Sequence, residues 1–301
     1  MSGLDGVLAD YLALRRAVGF SLANQDRLLA DFLAFLADHG EERITARAAL
    51  SWASQSKTIG ARAKRLGVVR VFARYAQASD PATEVPGTKL LPNPYRRPTP
   101  YLYEEGEVVA LMEEARHLVP QRWGMTCATL IGLLWATGLR AGEALRLDRE
   151  HVALDEAVLT VWVSKGHKSR LVPLSGSTLD ALAAYDRVCD SGRGPFFVDD
   201  AGERVETGDL ANQFTVLLDR AGVPWHSAVR QPRLGDLRHS FATGTLLRWY
   251  RDGADVGALV PRLSTYLGHV GPASTYWYLS AAPELLALAA ERVELIGEVA
   301  P

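Results

Sequence analysis

The feature that most constrains this chain is the stretch from residue 267 to residue 278, which places a histidine and a tyrosine nine positions apart. A Gly-Pro pair between them breaks a helix, and residues 273–279 have the composition of a new one. A bend of this kind brings His269 and Tyr278 to one site. A tyrosine hydroxyl, with its usual pKa near 10, is a poor nucleophile at neutral pH. Chemistry at such a tyrosine therefore needs cationic groups beside it.

Two upstream stretches supply arginines. Residues 137–145 read TGLRAGEAL and place Arg140 three positions before Glu143, and residues 235–243 read GDLRHSFAT and contain Arg238. A planar guanidinium can bridge two non-bridging phosphate oxygens, which a lysine cannot do in the same way. A glutamate three residues further on can hold the arginine by an ion pair. The alternative is an ordinary Arg-Glu pair on a helix surface.

A change of sequence period predicts a β-hairpin. Alternating apolar residues in 158–162 and 171–174 flank residues 164–170, SKGHKSR, which form a turn rich in potential cations. The flexible amine of a lysine in this turn, Lys165 or Lys168, can protonate an oxygen leaving group. A turn of solvated lysines is the alternative without chemistry.

Together these boxes resemble the tyrosine recombinases, also called the phage integrase family. The shared pattern is TGLR-x-x-E, a lysine in a β-turn, H-x-x-R, LGH, and a tyrosine nine residues after the last histidine. The matching residues in this chain are Arg140, Glu143, Lys165, Arg238, His269 and Tyr278. One position departs from the pattern, because the first residue of the H-x-x-R box is Gly235.

The resemblance implies DNA strand cleavage by transesterification. Tyr278 attacks a phosphodiester to give a 3′-phosphotyrosine and a free 5′-hydroxyl, Lys165 protonates the leaving oxygen, and Arg140, Arg238 and His269 stabilise the transition state. Neither a metal ion nor a nucleotide cofactor is needed. The absence of a GxxxxGK[ST] loop from the sequence agrees with that expectation.

The resemblance also implies partners. It predicts binding to a specific site in double-stranded DNA, a dimer on one site and a tetramer in the synapse, with an amphipathic C-terminal helix at residues 283–297 docking on the neighbouring protomer. Two alternatives stay open. One is a type IB topoisomerase-like enzyme, and the other is a DNA-binding accessory factor whose catalysis is weakened or lost through Gly235.

Periodicity divides the chain into two domains. Residues 1–80 predict a domain of four helices in which Thr45 and Thr58 start helices, and residues 81–100, with six prolines, predict a linker. Residues 101–301 predict a second domain that is mainly α with a small antiparallel β-sheet, in which an apolar helix runs from about residue 126 to 135 and residues 196–198 form a short strand. The resemblance implies that the first is a core-binding, DNA-binding domain, that the second is the catalytic domain, and that the two clamp a DNA duplex.

Positive charge is concentrated in one segment. The net charge of the chain is −2, but residues 43–100 contain eleven basic and two acidic side chains, a net charge of +9. The candidate contacts to DNA phosphates in this segment are Lys57, Arg62, Lys64, Arg65, Arg70 and Arg74, together with Arg96 and Arg97 of the linker. The alternative is a basic face that is only solvated.

The remaining features predict a cytoplasmic protein without a membrane segment, and the resemblance implies that it is associated with the nucleoid. The first residues lack the basic start and apolar core of a signal peptide, and no run approaches the roughly 18 apolar residues of a membrane span. The two cysteines, Cys127 and Cys189, lie in apolar helical contexts far apart in sequence. We expect both to be buried, reduced thiols.

Overall fold

The computed structural model of the protein describes residues 3–20, 22–92, 99–162, 169–189, 192–224, 230–269, 271, 273–281 and 284–285. These residues form two compact units, the first within residues 1–98 and the second from residue 99 onward. The fold is mainly helical with one small antiparallel sheet, as the sequence predicts. Across the described ranges, every helix is too short or too polar to cross a membrane.

The first unit contains four helices, the number that the periodicity predicts. They are α1 (Gly3–Ala17), α2 (Ala23–Asp38), α3 (Ala46–Ser54) and α4 (Ile59–Ala76). The Thr45 hydroxyl accepts the Ala48 N–H at 3.1 Å, and the Thr58 hydroxyl accepts the Ala61 N–H at 3.2 Å. Each threonine satisfies a backbone donor that the first helical turn leaves unpaired, which is why α3 and α4 begin where they do.

An aromatic core holds the four helices together. Phe32 of α2 packs against Trp52 of α3 with ring centroids 5.1 Å apart, and Phe72 of α4 packs against Tyr11 of α1 at 5.5 Å. All four rings are buried. These rings belong to one buried apolar cluster to which all four helices contribute residues.

The described first part of the predicted linker lies against this bundle. The Glu84 N–H donates to the Ile44 carbonyl at 2.9 Å, and the Glu84 carboxylate accepts the Ala46 N–H at 2.8 Å. Thr83 is buried. Residues 80–87 are thus held to the first unit by specific hydrogen bonds, although their proline content is typical of a free connector.

The second unit consists of helices and one three-stranded sheet. Its helices are α5 (Glu105–Arg116), α6 (Gln121–Thr137), α7 (Ala141–Ala144), α8 (Gly176–Cys189), α9 (Thr207–Arg220), α10 (Leu234–Arg251), α11 (Val256–Leu267) and α12 (Ala273–Ala281), and its strands are β1 (Val152–Ala153), β2 (Val158–Trp162) and β3 (Ser169–Pro173). The strand order is β1-β2-β3 with antiparallel neighbours. The predicted hairpin is therefore β2–β3.

Helix α6 is the central apolar helix of this unit. It begins at Gln121, five residues before the predicted start, with Pro120 as its N-cap. Its first turn contains Gly124, a residue of low helix propensity, beside the polar Gln121 and Arg122. Cys127 and Cys189 are free and buried, as expected. Burial raises the pKa of the Cys127 thiol to about 12, so this cysteine stays a protonated, apolar group.

The predicted strand at residues 196–198 is wrong. Phe196 and Phe197 are buried against Tyr185, with ring centroids 5.6 and 5.3 Å from it. Around them the backbone makes only isolated bridges, Asp148 with Pro195 and Val198 with Arg204. The two aromatic residues are apolar because they fill the core, and within the described ranges no neighbouring strand lies alongside them to form a ladder.

Candidate active site

The first arginine lies directly after the end of α6. Gly138 closes this helix with φ +63°, and a Cβ at this position would lie 2.5 Å from the Phe241 ring, so the turn requires glycine. Arg140 follows as the N-cap of α7. Its Nη1 donates to Glu143 Oε1 at 2.7 Å, and its backbone N–H donates to Glu143 Oε2 at 3.1 Å. Glu143 is buried while the Arg140 side chain stays 46% exposed, so the glutamate anchors an arginine that still reaches solvent.

The second arginine is buried and joins two helix ends. Arg238 of α10 donates from Nη1 to the Gly138 carbonyl at 2.8 Å and from Nη2 to the Leu267 carbonyl at 2.6 Å. These carbonyls terminate α6 and α11, where the helix dipole favours a positive charge. Burial and the charge of Arg140 lower the pKa of Arg238, while its interactions with Tyr278 raise it. An arginine remains protonated in such surroundings, so the site contains two fixed positive charges.

The histidine and the tyrosine lie together, as the bend predicts. His269 Nδ1 lies 2.8 Å from the Thr275 hydroxyl, and Thr275 is fully buried. The His269 ring stacks on the Tyr278 ring with centroids 6.0 Å apart. Tyr278 is 2% exposed and interacts with Arg238, whereas Tyr276, two residues earlier on α12, is 48% exposed. The tyrosine nine residues after His269 is therefore the one that faces the arginine cluster.

His239 packs at the same place. Its ring centroid lies 5.3 Å from that of Tyr278 and 5.1 Å from that of Trp277, both in edge-to-face geometry. The sequence favours a packing or hydrogen-bonding role for this histidine over a catalytic one. Its position between two aromatic rings is that of a side chain that fixes the tyrosine laterally.

Gly235, the departure from the family pattern, is the second residue of α10. It is exposed, and a Cβ built on it meets nothing within 4 Å. Its neighbour Asp236 is buried and supports the start of the helix by accepting the Arg233 N–H at 2.8 Å and pairing with Arg230 at 2.6 Å. The helix start is therefore held by Asp236, and position 235 has room for a larger side chain.

Three predicted residues lie outside the described part of the chain. Lys165 falls in the turn between β2 and β3, and Arg96 and Arg97 fall in the second part of the predicted linker. The predicted helix at 283–297 is described only at residues 284–285. The roles of these residues stay predictions.

Two residues of the cluster belong to no motif, and the sequence reasoning missed them. Arg170 of β3 pairs with Glu143 at 2.8 Å, and Thr275 holds His269. A signal for Arg170 was present, because the strand alternation places it on the same inward side as buried Val172. An inward arginine needs a buried counter-charge, and the buried carboxylate it meets is that of Glu143.

Among the described residues, one group of side chains has ligand atoms near enough to share a metal ion. Asp148, Glu150 and His151 offer such atoms within 4.8 Å of one another. His151 Nδ1 already accepts the Asp148 N–H at 3.0 Å, and the Asp148 carboxylate is paired with Arg204. These contacts belong to a short helical turn, Arg149–His151, that begins after Asp148. The turn accounts for the closeness of the three side chains.

Comparisons with known proteins agree with this geometry. A model of the phage integrase family matches residues 102–284. Protein y4rB of Sinorhizobium fredii, whose name assigns it provisionally to the integrases and recombinases, is 40% identical over 310 residues that cover 98% of each chain. Tyrosine recombinase XerC of Rhodospirillum centenum is 32% identical over 86% of this chain and 76% of its own length.

Solved structures show the same fold. The integrase of transposon Tn1549, in complex with the transposon's right-end DNA, superposes with a TM-score of 0.69 over 97% of this chain and 98% of that chain, at 14% identity. A lambda integrase dimer bound to a core site gives 0.65 over 91% and 94%, also at 14% identity. The two-unit fold and the cluster of arginines, histidine and tyrosine define a tyrosine recombinase. The chain belongs to the phage integrase family, since both the family model and relatives above 30% identity cover most of it.

Proposed function

We propose that the protein is a site-specific DNA recombinase that cuts and rejoins strands through a 3′-phosphotyrosine intermediate, without a metal ion or ATP. The observation that carries this proposal is the meeting of Arg140, Arg238, His269 and Tyr278, which come from three separate segments of one chain. The Arg238 guanidinium interacts with Tyr278, and the charge of Arg140 acts on Arg238. Together the two arginines provide the positive field that a phosphoryl transfer at the tyrosine oxygen requires.

The chemical step forms one bond and breaks one. The Tyr278 hydroxyl oxygen attacks the scissile phosphorus, the bond from phosphorus to the 5′-oxygen breaks, and the DNA 3′-phosphate remains on the tyrosine. Arg140 and Arg238 bind the non-bridging oxygens and stabilise the charge of the pentavalent transition state. The released 5′-hydroxyl of a partner strand reverses the step, so the energy of the phosphodiester bond is kept.

The protons are assigned to three groups. Because Thr275 engages His269 Nδ1, we assign the contact with the phosphate to Nε2. Lys165 donates a proton to the leaving 5′-oxygen. The tyrosine proton passes to a water molecule at the space beside Gly235, where the family pattern has a histidine.

The DNA duplex is the substrate and the first unit is its second point of contact. The Tn1549 and lambda integrases that share this fold were solved in complexes with DNA, which supports double-stranded DNA as the partner here. Among the members of the predicted basic set that the structure describes, Lys57, Lys64 and Arg74 are exposed. Assembly on DNA as a dimer and then a tetramer, through residues 283–297, and residence on the bacterial nucleoid in the cytoplasm complete the proposal.

Three arginines of the predicted set also have contacts inside the first unit. Arg65 pairs with Asp31 at 3.1 Å and lies over the Trp52 ring, and Arg70 donates to the Pro86 carbonyl at 2.7 Å. Arg62 donates to the Ser56 carbonyl at 2.7 Å. Replacing these arginines tests folding and DNA contact at once, so the exposed members are the better probes of binding.

The proposal is tested by trapping the covalent intermediate. DNA bound by the Tyr278→Phe protein is sequenced to identify the site, and a nicked duplex of that site then serves as a suicide substrate. We expect the unaltered chain to accumulate covalent protein on this DNA. Tyr278→Phe removes only the attacking oxygen, so it is expected to keep DNA affinity and to form no adduct.

Tyr276→Phe is the matched control, because it removes the same atom from an exposed position on the same helix. We expect this variant to form the adduct at the rate of the unaltered chain. An adduct that survives Tyr278→Phe and disappears with Tyr276→Phe contradicts the assignment of the nucleophile. DNA binding without any adduct from the unaltered chain supports the accessory-factor alternative instead.

A further inference from the structure

Arg170 is a buried arginine at the centre of the cluster that the proposed chemistry has not used. It is the second residue of β3, and its side chain is 11% exposed. Its Nη2 donates to Glu143 Oε2 at 2.8 Å, and its Nη1 lies 3.4 Å from Glu143 Oε1. Each of the two guanidinium nitrogens thus faces one oxygen of the carboxylate, which is the bidentate geometry of a strong arginine–carboxylate pair.

The same carboxylate also holds Arg140, and the two arginines differ in exposure. Arg140 contributes one side-chain bond and remains 46% exposed, whereas Arg170 contributes the bidentate pairing and is buried. The three charged groups carry a net charge of +1. If Arg170 were absent, Arg140 and Glu143 would be a neutral pair, and the carboxylate would compete with a phosphate for the Arg140 guanidinium.

The charge of Glu143 is stable in these surroundings. Burial by itself raises the pKa of this carboxyl, but the hydrogen bonds and positive charges of Arg170 and Arg140 outweigh it and bring the pKa to about 2. Glu143 is therefore an anion at neutral pH, and its charge has to be balanced by one of the two arginines.

Arg170 also packs against the backbone that leads to His269. A Cβ at Gly268 would lie 2.7 Å from Arg170 Nη1 and 3.0 Å from its Cζ. Gly268 has φ +66° and ends α11, and its carbonyl lies 3.5 Å from Arg140 Nη2. One guanidinium thus touches both the segment that carries Arg140 and the segment that carries His269.

We propose that Arg170 is a positioning residue that neutralises Glu143 and so leaves the charge of Arg140 for the scissile phosphate. This inference rests on the proposed function, because it takes a DNA phosphate as the ligand of Arg140. Arg170 itself touches neither the phosphate nor the reacting oxygens in this scheme. It acts through Glu143 and through the Gly268 backbone.

The test compares Arg170→Met, Arg170→Lys and the double variant Arg170→Met/Glu143→Gln. Their adduct rates on the suicide duplex are measured at saturating protein. Arg170→Met leaves Arg140 to balance the Glu143 charge, and we expect the rate to fall roughly 10- to 100-fold, as when one charge-assisted contact to a transition state is weakened. Arg170→Lys keeps the positive charge and loses the two-pronged pairing with the carboxylate, so we expect its adduct rate to lie between those of the unaltered chain and Arg170→Met.

The double variant separates a charge effect from a packing effect. Glu143→Gln removes the anion that competes for Arg140, so we expect it to restore most of the rate lost in Arg170→Met. A purely structural arginine predicts the opposite, because the second change removes more native contacts. A double variant that is no faster than Arg170→Met overturns the inference.

Arg149→Met is the matched control for loss of a buried arginine. The Arg149 side chain is 12% exposed and is paired with Asp186, outside the Arg140–Glu143 cluster. We expect its adduct rate to stay within about threefold of the unaltered chain, since a lost ion pair away from the site affects stability and not the barrier. An equal loss in Arg149→Met and Arg170→Met also overturns the inference.

A second measurement does not depend on cleavage. In a Tyr278→Phe background, the slope of DNA affinity against salt concentration counts the phosphates that are neutralised. Arg170→Met is expected to reduce this slope by about 0.9, and the double variant to restore it. If the unaltered chain forms no adduct but the slopes change in this way, the proposed chemistry fails and the inference holds; unchanged slopes overturn the inference.

Discussion

Replacing Glu143 by glutamine should make the second unit less stable at neutral pH and less sensitive to acid. Glu143 is buried and accepts hydrogen bonds from Arg140 and Arg170. Those contacts bring the pKa of its carboxyl from 4.5 to about 2, in spite of the burial that raises it. Glutamine has nearly the shape of the protonated glutamic acid and no charge. The variant therefore imitates the acid form of the protein at every pH.

The size and sign of the effect follow from proton linkage. A carboxyl whose pKa falls from 4.5 to about 2 on folding contributes about 3 kcal/mol to the free energy of unfolding at neutral pH. Between pH 4.5 and 2 the unfolded chain binds the proton and the folded chain does not, so this contribution is complete above pH 4.5 and is lost as the pH falls through that window. The difference in the free energy of unfolding between the unaltered chain and Glu143→Gln should shrink to about 1.5 kcal/mol at pH 3.

Urea unfolding followed by tryptophan fluorescence measures this difference. Six of the seven tryptophans lie after residue 99 and only Trp52 lies before it, so the signal reports mainly on the second unit. Glu284→Gln is the control, because Glu284 pairs with Arg251 and both side chains are more than half exposed. An exposed pair of this kind contributes less than about 1 kcal/mol.

The result that refutes this reasoning is a difference between Glu143→Gln and the unaltered chain that stays constant from pH 7 to pH 3. Such a result means that shape and packing, and not the charge held by the two arginines, give Glu143 its stabilising role. A variant with unaltered stability at pH 7 refutes it as well. Either outcome also weakens the argument that Arg170 balances this charge.

Two further predictions concern Gly235 and the basic segment. Gly235→His should raise the adduct rate roughly 10- to 100-fold, because it restores one charge-assisted contact at a position where a Cβ meets nothing within 4 Å. The control is Gly235→Ala, which should leave the adduct rate unchanged. Equal rates for the histidine and alanine variants mean that another group has taken over the role of the histidine. Replacing Lys64 and Arg74 together by alanine should lower the slope of DNA affinity against salt concentration by about 1.8, because two phosphate contacts of about 0.9 each are lost. Cleavage of DNA that is already bound should change little. An unaltered slope, measured by titration at four salt concentrations, means that these two residues do not contact DNA.

Sequence reasoning identified most of the cluster because its residues belong to short motifs. Arg140 and Glu143 are three positions apart, and His269 and Tyr278 are separated by one helix break, so local geometry alone brings each pair together. The same holds for Thr45 and Thr58, whose side chains cap the helices that follow them. In each case the partner lies within nine residues along the chain, which is the range that a pattern of residue types records.

The tertiary structure decided the contacts that span long stretches of chain. Arg238 donates to the carbonyl of Gly138, 100 residues earlier, and Arg170 pairs with Glu143 across 27 residues. Residues 196–198 have the composition of a strand and fill the core instead, because a strand requires a neighbour that the sequence of one segment cannot specify. Burial of charge is set in the same way, since desolvation depends on everything that surrounds a group. The motifs in the sequence were enough to predict the candidate residues, because each motif is short, whereas the charge of Glu143 is shared between one exposed and one buried arginine only because the packed fold brings Arg170 to it.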